Sequence, residues 1–486
     1  MRRTQLATVV VLIASTGVAL AAPWEASGID WTRPPAAAPR ARFAPPKPVR
    51  HLLPNGVQLL IVENRALPLF SASVVVLGAG SAYDPDGQGG LAAFTADLLD
   101  EGAAGLGALA LGARLESLGA TLDTGIAPDS ARLELSGLAR NLDASLHLLT
   151  EVLARPLFDA PEAARVHADL ATDLALKPDR PREVASDLLI GRIYGCTSAY
   201  GHPADGTMAS HAPLTVADAR SFHARAYRPD RTTIIVAGDV NAAALTKLFA
   251  RQLGTFGSAS PQPAINAAPT VLLGRGPRLL LVDRPGAEQS DVRIGVAAIA
   301  PGDLREPALE VLANALGGSF TSRLNRRLRE ELAYTYGIRA GVGWRAGVSP
   351  FVISTSLFTP NTIAGLREIL RIVGEVSAAE LPKEELHKAK QNLVQQLPQS
   401  FQTNGATTGA FAELVRHGRP LDWYDGYAER IDAVTGAQVK DAAATLVPVG
   451  GLLFTVAGDL TALREGLNGL GLGRSALLGA DGGPRR

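Results

Sequence analysis

Leu59-Leu60-Ile61-Val62-Glu63, an apolar run closed by a carboxylate, returns as Leu279-Leu280-Leu281-Val282-Asp283. Val236-Ala237-Gly238-Asp239 returns as Val456-Ala457-Gly458-Asp459, at the same offset along the chain. Two landmarks at opposite ends of a unit that share one offset indicate internal self-similarity at domain length, hence a duplicated fold. In each copy β-favouring runs open and close the unit and helical patterns fill its middle. The expected fold class is therefore α+β: two tandem homologous domains, each a mostly antiparallel sheet backed by helices. The expected domains are residues 49–257 and 278–472, joined by a Pro/Ala-rich linker at 258–277 and followed by a tail at 473–486.

Within the first copy, Pro54-Asn55-Gly56 marks a turn leading into a strand through Val57, Leu59 and Ile61. Residues 71–77 form a second β-branched run, and the simplest reading pairs it with the first. Helices are expected over 90–99, 108–118, 138–153 and 161–176, with strands at 119–124 and 233–239.

The bulk composition narrows the partners. Of 486 residues, 47 are Lys or Arg and 47 are Asp or Glu, so the formal net charge is zero and nothing favours nucleic acid or an anionic membrane surface. A protein or peptide partner is expected. Arg2-Arg3, the apolar run 9–14 and Ala19-Leu20-Ala21 have the order of a secretory signal cut after Ala21, followed by a Pro/Ala-rich leader to residue 48. The run is too short to span a bilayer, so a soluble, exported or periplasmic protein is expected with no membrane span. Cys196 is the single cysteine, which excludes an intramolecular disulfide and a lipid anchor at the cleavage site.

The densest cluster of charge and aromatic residues is 322–337, Ser-Arg-Leu-Asn-Arg-Arg-Leu-Arg-Glu-Glu-Leu-Ala-Tyr-Thr-Tyr-Gly. Leu324, Leu328 and Leu332 recur every four residues, which predicts a helix with one buried stripe. Arg329 and Tyr336 lie seven residues apart, two turns if the helix runs that far, and their donors would then converge. Taken alone, such an arginine is ordinarily a solvated charge and such a tyrosine a packed ring with a wet hydroxyl.

Over nearly the whole chain after the leader, the sequence resembles the pitrilysin-type (inverzincin) zinc metallopeptidases, in particular bacterial relatives of mitochondrial processing peptidase. The matching landmarks include Leu53-Pro54-Asn55-Gly56, Gly89-Gly90-Leu91-Ala92, Gly119-Ala120, Tyr227-Arg228-Pro229 and Ala237-Gly238-Asp239. In the second copy they are Ser322-Arg323-Leu324, Leu328-Arg329-Glu330, Tyr334-Thr335-Tyr336-Gly337, Glu385-Leu386 and Lys388-Ala389-Lys390. Their order and spacing carry the resemblance; each alone is weak.

The resemblance implies an H-x-x-E-H helix holding zinc and its general base. Here Ala93, Ala96 and Asp97 stand where the first histidine, the glutamate and the second histidine would be. The family's further glutamate ligand would fall within 163–174, where only Asp169 and Asp173 stand, with His167 nearby. No two histidines of the chain are four residues apart, so no substitute helical clamp exists. The expectation is no metal and no cofactor in this chain, with zinc supplied by a homologous partner subunit.

The resemblance further implies that Arg329 and Tyr336 hydrogen-bond substrate backbone near the scissile bond, with Arg327 and Tyr334 as a second register of the same spacing. The strand Thr121-Leu122-Asp123-Thr124 resembles the family's peptide-binding edge, although Asp123 departs from its usual asparagine. The implied function is a non-catalytic subunit of a heterodimeric metalloendopeptidase. The alternative is a peptide-binding or scaffold protein with no role in proteolysis.

Overall fold

The structure is a computed structural model and describes residues 43–257 and 276–483; the expected signal segment, most of the leader and most of the linker lie outside the described residues. Of the described residues, 44–257 and 276–483 belong to one compact unit, so both sheets share a frame.

In the first half, strands β1 (Val49–Leu52), β2 (Gln58–Glu63) and β3 (Leu69–Leu77) precede helix α1 (Leu91–Asp97). A small hairpin of β4 (Gly102–Ala103) and β5 (Leu106–Gly107), α2 (Ala108–Ser117), β6 (Thr121–Ile126) and β7 (Ser130–Leu138) follow. Helices α3 (Leu142–Ala154), α4 (Ala160–Leu176), α5 (Pro181–Tyr194), α6 (Met208–His211) and α7 (Val216–Ala226), then β8 (Thr232–Gly238) and α8 (Ala242–Gln252), complete it.

The second half repeats the plan with β9 (Leu279–Asp283), β10 (Gln289–Ile299), α9 (Glu306–Ala313), α10 (Arg323–Asn325), β11 (Ile338–Val342) and β12 (Ser349–Phe358). Helices α11 (Thr362–Ala378), α12 (Lys383–Gln396) and α13 (Asn404–Arg416) lead on toward β13 (Leu453–Gly458) and β14 (Ser475–Leu478). The sheet orders are β1-β2-β8-β3-β7-β6 and β11-β12-β10-β13-β9-β14. The mixed α/β class with mostly antiparallel sheets is as the repeat implies.

Two sequence expectations are corrected. The first is the pairing of residues 57–61 with 71–77: β8 lies between β2 and β3, parallel to the former and antiparallel to the latter. All seven residues of β8 are buried. Such a strand belongs in the sheet interior with a neighbour on each side, and β2 instead forms its hairpin with β1 around Pro54-Asn55-Gly56. The second is the tail at 473–486, which contributes β14, pairing in parallel with β9. The outermost position, filled by β1 at the start of the first half, is thus filled from the end of the second.

The apolar run of β2 is continuous because both faces of its sheet are covered. Leu59 and Ile61 face the core of the first half, whereas Leu60 and Val62 face Phe411, Ala412 and Leu414 of α13, a helix of the second half. The converse holds at the other sheet, where Leu189, Ile193 and Tyr194 of α5 pack with Leu453, and Val184 and Ala185 with Val282 and Ala457. Each half lends one helix to the other. Polar contacts secure the exchange: Thr403 Oγ1 caps α13 by accepting from Ala406 N at 3.0 Å, and Asn404 Nδ2 donates to Leu69 O at 3.1 Å. The Tyr194 hydroxyl donates to Val348 O at 2.6 Å.

Candidate functional site

The helix at the zinc-motif position, α1, is started by Asp84, whose carboxylate accepts from Gly90 N and Ala92 N, both at 2.7 Å. Ala93 and Ala96 are buried on it and carry no donor atom. Asp97 is largely buried, and its pKa is pushed up to about 6, first by burial and then by the charges of Asp100, Asp205, Glu101 and Asp173. Asp100 is likewise raised to about 6, mainly by burial. Glu101 is paired with Arg165 at 2.5 Å, but Asp97 itself has no ion pair among the described residues, and like charges around it disfavour its ionised form.

The remaining metal candidates are engaged elsewhere. His167 stacks on His211 at 4.2 Å between ring centroids, and each ring nitrogen meets the other residue's carbonyl. Asp169 is paired with Arg165 at 2.9 Å, and Asp173 is exposed. Among the described residues no group of three or more His, Cys, Asp or Glu could hold a metal. The residues present at the motif do not fit a zinc ion, since imidazole lone pairs are missing from both ligand positions.

In the second half, Leu324 and Leu328 are fully buried and Leu332 partly so, as the stripe predicts. The helix does not carry on to Tyr336. A single α-turn, Arg323–Asn325, passes into a π-helical segment, Arg326–Glu331, and Ala333 then takes the left-handed conformation (φ 52°). Leu332 N bonds Arg327 O at 3.1 Å and Tyr334 N bonds Leu328 O at 2.8 Å, a helix-ending closure wider than an α-helix would make. Tyr336 therefore stands on a turn, fixed by buried Thr335, whose Oγ1 accepts from Gly337 N at 3.1 Å.

Arg329 and Tyr336 nonetheless line one cavity of about 920 Å³. The Arg329 guanidinium lies 3.6 Å from the centroid of the Phe320 ring and 3.2 Å from Glu330. Tyr336 is 80% exposed, its ring edge-on to Phe358, and no partner holds its hydroxyl among the described residues. The other register differs. Arg327 is bound by Glu331 and Glu368, each at 2.9 Å, and Tyr334 packs against the core of the second half. Neither lines the cavity.

Asn325, which sequence reasoning passes over, organises the cavity wall. Its Nδ2 donates to Ser319 O (3.0 Å), Ser322 Oγ (3.1 Å) and Ile338 O (2.8 Å), and its Oδ1 accepts from Ile338 N (3.0 Å). One side chain thereby ties the 319–320 loop, the helix start and the edge strand β11. Arg182, Arg293 and Arg339 also line the cavity, and sequence reasoning misses them too. The available signal is the arginine inside the run Val292-Arg293-Ile294, because charge in a central strand is rarely structural filler. In the first half, β6 is the outer strand of its sheet, as its resemblance to a binding edge requires, with Asp123 3.7 Å from Arg132.

A duplicated α+β scaffold with peptidase landmarks and no ligand set on its metal helix defines a peptidase-like protein without its own metal motif. The chain belongs to the pitrilysin-type M16 peptidase family. The family model "Insulinase (Peptidase family M16)" matches residues 60–200, and "Peptidase M16 inactive domain" matches 213–393. An uncharacterized zinc protease of Mycobacterium tuberculosis is 28% identical over 293 residues, 60% of this chain and 66% of that protein, so the match spans just under two thirds of that relative. The non-peptidase homolog YmxG of Helicobacter pylori is 23% identical over 406 residues, 82% of this chain and 91% of that protein. Among solved structures, the peptidase M16 inactive domain from Pseudomonas fluorescens superposes with a TM-score of 0.77 at 26% identity, covering 85% of this chain and 98% of that one. A protease from Helicobacter pylori shares the fold, with a TM-score of 0.78 at 19% identity over 85% and 99% of the two chains. Among the described residues no helix is long and apolar enough to cross a membrane.

Proposed function

We propose that this chain is the zinc-free subunit of an exported two-chain metalloendopeptidase, binding peptide and donating hydrogen bonds to it while a homologous partner carries the zinc. The observation that carries this reading is an asymmetry. The metal helix carries no imidazole at 93 or 97 and no base at 96, whereas Arg329 and Tyr336 keep their donors beside one cavity. A zinc-bound water in the partner would supply the nucleophile. Arg329 and Tyr336 would hold the peptide backbone and stabilise the negative charge that develops on the attacked carbonyl oxygen. Export rests on the secretory pattern between Met1 and Ala21.

The test is reconstitution with a homologous chain that has an intact H-x-x-E-H. Tyr336→Phe removes one hydroxyl and keeps the ring, so turnover should fall roughly a hundred- to a thousand-fold with association unchanged. Unaltered turnover in both Tyr336→Phe and Arg329→Ala would remove the pair from the mechanism. A second reading, peptide binding or scaffolding without proteolysis, is favoured by the likeness to the Helicobacter pylori non-peptidase homolog. It predicts peptide binding but no cleavage with any zinc-bearing partner.

A further inference from the structure

We infer that the Arg329–Tyr336 cavity selects peptides that carry a carboxylate, which it seats against Arg293 and Arg339. The inference rests on the peptide-binding reading above and adds the class of peptide.

Among the described residues, four arginines line the cavity, Arg182, Arg293, Arg329 and Arg339, and no Asp or Glu does. Two nearby carboxylates offset part of this charge: Asp291 lies 3.7 Å from Arg182, and exposed Glu330 lies 3.2 Å from Arg329. Among the described residues the other two arginines form no ion pair. Arg293 is buried, and its donors go only to neutral acceptors: Ser186 Oγ at 3.0 Å, Val292 O at 2.9 Å and Arg182 O at 3.3 Å. Asp291 acts on it through space but is already bonded by the Ser356 hydroxyl at 2.6 Å. Arg339 points outward from β11 and has no partner among the described residues.

A buried cation satisfied only by neutral groups is under-compensated, and an arginine always keeps its charge. Both conditions improve when a carboxylate enters, because a guanidinium binds it through two parallel hydrogen bonds. Lysine or arginine in the same place would face a surplus of like charge. Arg182 and Arg339 are exposed at the rim, whereas Arg293 is rooted in a buried central strand, where water screens its charge less.

The test uses three fluorescent peptides of one extended, otherwise neutral sequence and the full chain, read by anisotropy. One has internal aspartates and an amidated end, one has asparagines and an amidated end, and one has asparagines and a free C-terminal carboxylate. The aspartate peptide should bind at least about tenfold more tightly than the amidated asparagine peptide, an advantage that shrinks in high salt. Arg339→Ala should erase most of that advantage, and Arg339→Glu should reverse it. A similar gain for the free-acid peptide alone would identify the terminal carboxylate as the recognised group. Equal affinity for all three would overturn the carboxylate selection and leave the peptide reading intact. Binding of none would overturn the peptide reading itself. Circular dichroism of the Arg339 variants, which alter an exposed side chain, separates lost recognition from lost fold.

Discussion

Replacing Asn325 with alanine removes the acceptor of Ile338 N and the two amide N–H groups shared among Ile338 O, Ser319 O and Ser322 Oγ, leaving Ile338 N, Ile338 O and Ser319 O without the side chain that pairs them. Asn325 is buried, so water does not simply take its place. A net contribution of about 1 kcal/mol per bond, together with the cost of stranding buried backbone groups, puts the loss at roughly 3–5 kcal/mol. Asn325→Asp is the sharper variant, since it keeps the acceptor toward Ile338 N but turns a carboxylate oxygen toward two carbonyls. It should cost at least as much as alanine. Urea unfolding followed by the emission of Trp344 and Trp423, both in the second half, measures the loss. Peptide affinity of the protein that remains folded should fall as well, because the loop bearing Phe320 and the strand bearing Arg339 lose their common tie. A loss below about 1 kcal/mol for both variants would mean that Asn325 does not hold the cavity wall, and the reasoning would fail.

Three further outcomes follow from the packing. Asp97→Asn should stabilise the protein at neutral pH: the folded pKa of about 6 lies above the ordinary carboxylate value, so wild-type stability falls as pH rises through that range. The gain should be about 1–3 kcal/mol above pH 6 and vanish below about pH 4, and thermal melts across pH check both size and sign. Gly317→Ala should unfold or strongly destabilise the second half, because a Cβ there would stand 2.4 Å from Ala340 N of β11; soluble yield and melting temperature report it. Phe411→Ala should cost about 3–5 kcal/mol in urea unfolding even though Phe411 lies in the second half and the core it fills belongs to the first sheet.

The duplicated architecture is legible because β2 and β9 are apolar on both faces and end in a carboxylate, and because β8 and β13 repeat the same glycine stop. Strand order is not legible. Nothing in the periodicity of β3 reveals that its neighbour is β8, which arrives only after helix α7. The lent helices are hidden for a similar reason, since an apolar stripe on α13 states that a face is covered but not which sheet covers it. Around the cavity, the two arginine–tyrosine registers have identical spacing, and they separate only in three dimensions, where Glu368 holds Arg327 and the second-half core takes Tyr334. The end of the helix before Tyr336 is also beyond reach, because the π-segment and the left-handed Ala333 answer to the docking of β11 rather than to local propensity.

The reciprocal loan of α5 and α13 sets an order of events during synthesis. The first sheet leaves the ribosome with Leu60, Val62, Val75 and Ile235 bare on one face, and their cover, Phe411 to Leu414, is translated only after most of the second half has followed β8. Contacts of such sequence separation form late and slowly. Until then the chain is an incomplete sandwich with an adhesive side, so chaperone demand should peak in the interval between β8 and α13. A truncation anywhere in that interval should yield an aggregate rather than a free first domain.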